Sequence, residues 1–332
     1  MSSHRVVWLK KGVADVETFE EPLPAEGQVV LRTRVSLISP GTERAFFMGM
    51  PNAPCQFPTP APGYSNVGEV VKLGPGVDSF EVGEIVVSPA GHASHVVVAA
   101  ADCLLMPAKA RDEDAVFFNL ATIALQGIRK ARVELAESVL VMGAGPIGLL
   151  AMQLARLNGA LPVLVADKDE GRLKFALGFG ADEALVANDK LQEAVALCCE
   201  GGGAAVVIEA TGSPHAIVPA LQCARRLGRV VLLGSTRGET EKVNFYKDVH
   251  QKGITIIGAH NGGSRPRHES SAAYWTARDD QRAVLRLLAA GRLNVQSLIT
   301  HRFSWKEAVQ AYNILASGDG SAQGMILDWR KE

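Results

Sequence analysis

Residues 138–160 read SVLVMGAGPIGLLAMQLARLNGA. The apolar run Val139–Met142 has the length of a strand, and a helical pattern follows it as far as Gly159. Between them Gly143, Gly145 and Gly148 fall in G-x-G-x-x-G spacing. A dinucleotide pyrophosphate needs this arrangement. The first glycine permits the tight turn, the second lets the main chain approach the phosphates, and the third lets helix and strand pack closely. The phosphates then meet the free N–H groups and the positive dipole end of the helix. Gly143, Gly145, Pro146, Ile147 and Gly148 are therefore the expected phosphate contacts.

The next apolar run, LPVLVADKD over 161–169, reaches Asp167, and 167 − 148 gives 19 residues after the last glycine. A carboxylate at about that distance accepts hydrogen bonds from both ribose hydroxyls and repels a 2'-phosphate. The expected cofactor is NAD rather than NADP. Lys168 would soften that preference if it turned inward, and Arg172, one helical turn on, would reach the adenosine ribose.

Outward from this motif, candidate strands at 139–142, 163–166, 185–187, 205–209, 229–233 and 254–258 alternate with helical stretches. That rhythm predicts an α/β domain with a doubly wound parallel sheet. The first 118 residues read differently, with strand-like runs at 28–38, 67–73, 84–88 and 95–99 separated by turn signals such as Gly74-Pro75-Gly76. In QVVLRTRVSLI (28–38), Val29, Leu31, Val35 and Leu37 alternate with Arg32, Arg34 and Ser36, as a half-buried strand does. The first third is therefore β-rich and barrel-like. Beyond Gly258 come a polar loop at 261–270, a helix through about 289, a strand near 298–303 and a closing helix, with Ser304 and Glu307 in capping-box spacing. The expected division is 1–118, 119–260 and 261–332.

A chain of 332 residues with 47% hydrophobic and 21% charged residues suits two globular domains. Its net charge of −1 lacks the electrostatic footprint of a nucleic-acid binder. The N-terminus carries too short an apolar stretch for a signal peptide, and the most apolar region, 139–166, is interrupted by Arg156 and glycines. The expectation is a cytoplasmic protein with a small-molecule substrate and neither membrane nor nucleic-acid partners. The 5 cysteines are scattered, with no C-x-x-C pair and no histidine at ligand spacing, so neither a disulfide framework nor a zinc ribbon is encoded.

The order of segments carries a resemblance: a β-rich start, the G-A-G-P-I-G turn, EATGSP at 209–214, GRVVLLGS at 228–235 and LITHRFSWKEAVQAYNIL at 298–315. The whole chain resembles the medium-chain dehydrogenase/reductase family, which includes the zinc alcohol dehydrogenases. The resemblance implies a Rossmann NAD-binding domain and a GroES-like catalytic domain built from the first and last segments. It also implies hydride transfer at a nicotinamide in the cleft between them, with further cofactor contacts at Ala210, Thr211 and Gly234.

The metal positions depart from that family's zinc-dependent pattern. Ser39 stands in SLISPGTE where a cysteine ligand is usual, and Gly63-Tyr64-Ser65 replaces Gly-His-Glu. Asn119 and Leu120 occupy the region of the third ligand, and the four-cysteine lobe of the structural zinc is missing. The chain thus resembles a zinc-independent branch, with no metal site expected. ISPGTER and PGYSNVGEV are locally similar to segments of bacteriochlorophyllide dehydrogenase and of sugar- or polyol-type dehydrogenases.

Without a Lewis acid, side-chain hydrogen bonds must handle the alcohol proton. Tyr64, at the histidine-ligand position, either donates to a carbonyl oxygen and takes a proton from an alcohol, or only packs beneath the cleft. His92 and His95, in PAGHASHVVV, are the candidate proton carriers, and alternation turns one of them outward. Ser39 and Thr42 offer a relay to solvent. Glu43 and Arg44 suit a structural ion pair or a helix cap, and Asn119 suits contact with substrate or nicotinamide. The reading is interconversion of a secondary alcohol (polyol, sugar-like or otherwise activated) and its ketone. The alternatives are reduction of a polarised C=C bond, as in quinone and enoyl reductases, or nucleotide binding without turnover. The apolar strand at 254–258 suits pairing across a two-fold axis, so a homodimer or homotetramer is expected.

Overall fold

The computed structural model describes residues 3–330, which divide into two compact units, 3–119 with 285–330 and 120–284. Residues 261–284 group with the second of these units. Ion pairs explain this. Asp280 is buried and takes Arg129 Nε at 2.6 Å on one oxygen and Arg265 on the other, while the Arg129 guanidinium lies 3.4 Å from the Trp275 ring centroid. Lys130 Nζ, also buried, donates to Gly258 O at 3.0 Å and to Ser264 Oγ at 2.7 Å. These contacts fasten 258–280 to the helix Phe118–Ala131.

The second unit carries a parallel sheet of six strands. Their order is Glu183–Val186, Val163–Asp167, Val139–Met142, Ala204–Glu209, Ala224–Leu232, Thr255–Gly258. The order reverses direction between the Val163–Asp167 and Ala204–Glu209 strands, on either side of Val139–Met142, which is where doubly wound sheets bind ligands. Central strands with helices on both faces must be apolar throughout, and Val139 to Met142 and Ala204 to Ile208 are all buried. The Thr255–Gly258 strand forms one edge, with Ile256 41% exposed.

In the first unit, a seven-stranded sheet runs Ile299–Ser304, Gly324–Asp328, Gln28–Ile38, Asn66–Leu73, Ile85–Ser88, Leu104–Leu105, with His95–Ala99 also paired to Gln28–Ile38. The return segment completes this sheet, since Met325 pairs with Ile38 and Asp328 with Val35. The alternation expected of Gln28–Ile38 holds at Arg32, which is exposed, and at Arg34, which is half-buried, but fails at Ser36, which is as buried as Leu37. One apolar cluster packs Trp8, Phe47, Tyr312 and Leu327, and a second packs Leu31, Val70 and Val86. Among the described residues no helix is long and apolar enough to cross a membrane, and all five cysteines are free thiols.

Candidate active and nucleotide sites

Each glycine of the 143–148 turn meets a different local demand. Gly143 has φ +100°, in the left-handed region where a side chain is strained. Gly148 has no room for a side chain, because a Cβ there would lie 1.8 Å from Gly143 O. Gly145 is the opposite case, with nothing within 4 Å of a Cβ position, which leaves its main chain open to a ligand. Gly145 also caps the 12-residue helix Pro146–Leu157, with Pro146 in the first turn where a missing N–H costs nothing. A bare backbone cradle at the mouth of a helix N-terminus fits a dinucleotide pyrophosphate.

Asp167 ends its strand half-buried, and Oδ2 accepts from Ala144 N at 2.7 Å while Oδ1 accepts from Asp169 N at 3.0 Å. An ionised carboxylate has about four acceptor positions, so capacity is left for a ribose diol. Lys168 is exposed, and Arg172 is half-buried in the first turn of the next helix, whose cap Asp169 Oδ1 accepts from Gly171 N and Arg172 N. On the other side of the central strand, the Ala210–Gly212 turn abuts Gly143, whose Cβ would lie 3.1 Å from Thr211 N. Gly234 approaches the same turn, its Cβ position being 2.4 Å from Gly212 N. The expected cofactor residues of 143–234 are thus gathered at the C-terminal ends of four adjacent strands.

In the first unit, Tyr64 donates its phenolic proton to Ser39 Oγ at 2.7 Å, and Thr42 hydrogen-bonds the same hydroxyl. The Tyr64 ring is partly exposed, but Ser39 is buried at the cap of the helix Pro40–Phe47. Burial of the phenol raises its pKa above the ordinary tyrosine value. The Ser39 and Thr42 hydrogen bonds pull it back, and the nearby Glu43 charge raises it further. Tyr64 is accordingly a neutral proton donor at neutral pH. Asn119 fixes the main chain beneath it by donating Nδ2 to Tyr64 O, and Ser65 Oγ donates to Val116 O.

Glu43 turns inward rather than to Arg44. Its Oε1 accepts from Ser39 N at 2.8 Å, and its Oε2 accepts from Tyr312 Oη at 2.6 Å and faces His92 Nε2 at 3.1 Å. His92 Nδ1 lies 2.7 Å from Ser36 Oγ, which in turn accepts from Trp329 Nε1 at 2.8 Å. One consistent set of protons satisfies this chain: Trp329 donates to Ser36, Ser36 to Nδ1, and Nε2–H to Glu43. His92 is therefore a buried structural partner, and a Cβ on Gly63 would lie 2.4 Å from its Nε2. Arg44 Nε instead donates to Leu315 O.

His95 is not brought to this site. It pairs with Arg32, seven residues before Ser39 on one strand, roughly 20 Å away at about 3.3 Å per residue. There its Nδ1 meets Ser3 Oγ at 3.1 Å, and burial lowers its pKa, with Glu21 opposing. Sequence reasoning also passed over Glu209, Tyr312 and Trp329. Only Glu209 left a signal, as a carboxylate closing the apolar run AAVVI.

A family model described as zinc-binding dehydrogenase matches residues 146–277. L-threonine 3-dehydrogenase of Pyrococcus furiosus is 27% identical over 342 residues, covering 92% of this chain and 92% of that protein. Two solved structures share the fold. A putative zinc-binding dehydrogenase from Sinorhizobium meliloti 1021 bound to NADP has TM-score 0.84 and 21% identity, over 99% of each chain. An alcohol dehydrogenase from Escherichia coli CFT073 complexed with NADH has TM-score 0.84 and 22% identity, over 99% of this chain and 100% of its own. The zinc implied by the matching family does not fit the donors present: among the described residues no group of three His, Cys, Asp or Glu side chains is placed to hold a metal ion.

Proposed function

We propose that this chain, alcohol-dehydrogenase-like by fold and by similarity and so an oxidoreductase of the medium-chain kind, interconverts a secondary alcohol and its ketone with NAD(H) and without zinc. The observation that carries the reading is the pair Tyr64–Ser39, a neutral phenol joined to a buried hydroxyl at the position where the resemblance places metal ligands. A phenol held protonated can donate to a carbonyl oxygen as it gains negative charge, which is the service a Lewis acid otherwise supplies. Ser39, with Thr42 beside it, returns or accepts that proton.

The nicotinamide cofactor supplies the hydride acceptor or donor when bound. Gly143, Gly145, Pro146, Ile147 and Gly148 would hold its pyrophosphate, and Asp167 its adenosine ribose. The free acceptor positions on Asp167 support NAD, since a 2'-phosphate would meet a carboxylate there. Hydrogen bonding alone stabilises an alkoxide less than a metal ion does. Substrates whose ketone is conjugated or flanked by hydroxyls are therefore favoured, which supports a polyhydroxylated or otherwise activated alcohol.

The test is a panel of polyols, sugar alcohols and activated secondary alcohols, with the matching ketones, followed at the NADH absorbance band. Turnover of at least one alcohol/ketone pair is expected. Reduction of conjugated C=C bonds with carbonyls left intact would move the assignment to an enoyl-type reductase, and cofactor binding with no turnover would remove the enzymatic reading.

A further inference from the structure

Glu209 ends the central strand Ala204–Glu209 with its side chain wholly buried. Its Oε1 accepts from Thr211 N at 2.7 Å and also from Thr211 Oγ1. Its Oε2 has no hydrogen-bond partner. A carboxyl group taken from water into an apolar sheet, with one oxygen unpaired, is costly and calls for an explanation. Nothing in the packing of the strand requires it, because a leucine or valine would continue the run Ala204 to Ile208.

The location supplies the explanation. Glu209 pairs with Met142 on one side and Leu232 on the other, so it stands between the Gly143 turn and the Gly234 turn. The Ala210–Gly212 segment that it grips is wedged between them. Gly143 faces Thr211, Gly234 faces Gly212 N, and Ser235 O would lie 2.7 Å from a Cβ on Gly212. Gly212 has φ +65°, a conformation with no helix or sheet ladder to hold it. The two hydrogen bonds to Glu209 Oε1 hold the Thr211 end of that turn.

The sheet order assigns this turn to one half of the ligand. Asp167 lies on the strand to one side of Val139–Met142, and Thr211 follows the strand to the other side. A dinucleotide whose pyrophosphate rests on 143–148 at the point where strand order reverses extends its two nucleosides to opposite sides. With the adenosine ribose at Asp167, the nicotinamide nucleoside lies over the Ala210–Gly212 side.

We infer that Glu209 is a positioning residue for the nicotinamide half of the cofactor, acting through the Thr211 turn and touching no ligand itself. It rests on dinucleotide binding and not on the substrate reading above. Its test is direct binding, with no turnover needed: dissociation constants for NADH by fluorescence and for ADP by calorimetry, on the full chain. ADP shares the adenosine and pyrophosphate and lacks the nicotinamide nucleoside.

Glu209→Ala should weaken NADH about tenfold or more while leaving ADP within about twofold. Glu209→Gln should restore NADH to within about threefold of native, because its amide oxygen accepts from both Thr211 donors. Thr211→Val, which keeps the turn's N–H and removes one donor, should fall between them. Equal losses of NADH and ADP in Glu209→Ala would mark a general structural role and overturn the inference. So would native NADH affinity in that variant, or a loss in Glu209→Gln as large as in Glu209→Ala. Failure of the native chain to bind NADH at all would instead strike the cofactor reading on which this rests.

Discussion

Tyr64 and Ser39 are joined hydroxyl to hydroxyl at 2.7 Å, one at the end of the Gly63 turn and the other at the cap of the helix Pro40–Phe47. Removing the phenolic oxygen deletes the donor and leaves the ring in place. Tyr64→Phe should lower turnover by about 10²-fold or more, the usual size for one acid–base group, with NADH affinity near native. Steady-state kinetics beside a binding titration checks it. Native turnover in this variant returns the ring to a packing role.

The two histidines of PAGHASHVVV should separate. His92→Ala would take a donor from the buried Glu43 carboxylate and leave Ser36 without its acceptor, a loss of about 2–4 kcal/mol in denaturant unfolding. His95→Ala gives up contacts with Ser3 and Ser94 at a half-exposed position and should stay within about 1 kcal/mol of native. Comparable losses in the two would contradict the buried network.

These two sites differ in how far they could be read from sequence, for a physical reason. The positive φ of Gly143, the open main chain at Gly145 and the contact of Gly148 with Gly143 O all arise within the turn itself, so the spacing carries the site even though Thr211 also crowds Gly143 from a distant strand. Asp167 follows for the same reason, at the end of the very next strand. The set Ser36, Glu43 and His92 is closed by the end of the chain, with Tyr312 of the helix Ala308–Ser317 meeting Glu43 and Trp329, just after the strand Gly324–Asp328, meeting Ser36 across 293 residues of chain. No local pattern marks such a contact. His95 looked equivalent to His92 because strand alternation says which face a residue takes and not how far along the sheet it stands. The burial of Ser36 was lost similarly, since alternation cannot count the strands and side chains that will cover both faces.

Cofactor choice follows from Asp167. Binding titrations should favour NAD(H) over NADP(H), and Asp167→Ser should narrow the gap by removing the like charge that a 2'-phosphate meets. Because Oδ2 also holds Ala144 N, the substitution should weaken NADH somewhat as well. Tighter binding of NADPH than of NADH by the native chain would contradict this reading of the carboxylate.

Metal dependence follows from the donors. A catalytic zinc needs three protein ligands and an open position, and neutral hydroxyls at Ser39 and Tyr64 would each have to ionise to serve. Burial opposes that ionisation at Tyr64. Elemental analysis of protein purified without an affinity tag should find well below one zinc per chain, with turnover insensitive to chelators. A stoichiometric zinc whose removal abolishes activity would overturn the proton-donor role given to Tyr64.

The buried Glu209 carboxyl should make stability depend on pH in a direction opposite to that of a salt-bridged acid. Desolvation raises its pKa above the ordinary value of 4.5, more than its hydrogen bonds from Thr211 lower it. The folded state therefore holds the proton more tightly than the unfolded chain does. The stability this contributes is fully present below about pH 4.5 and is lost as pH rises through the folded value. Glu209→Gln has no such titration. The difference in melting temperature between the native chain and Glu209→Gln should accordingly move in favour of the glutamine variant as pH rises from about 4.5 to about 8. Calorimetric scans across that interval decide it: a difference that stays constant, or that moves in favour of the native chain, would mean that Glu209 is already ionised at the acid end and that its unpaired oxygen finds a partner in solution.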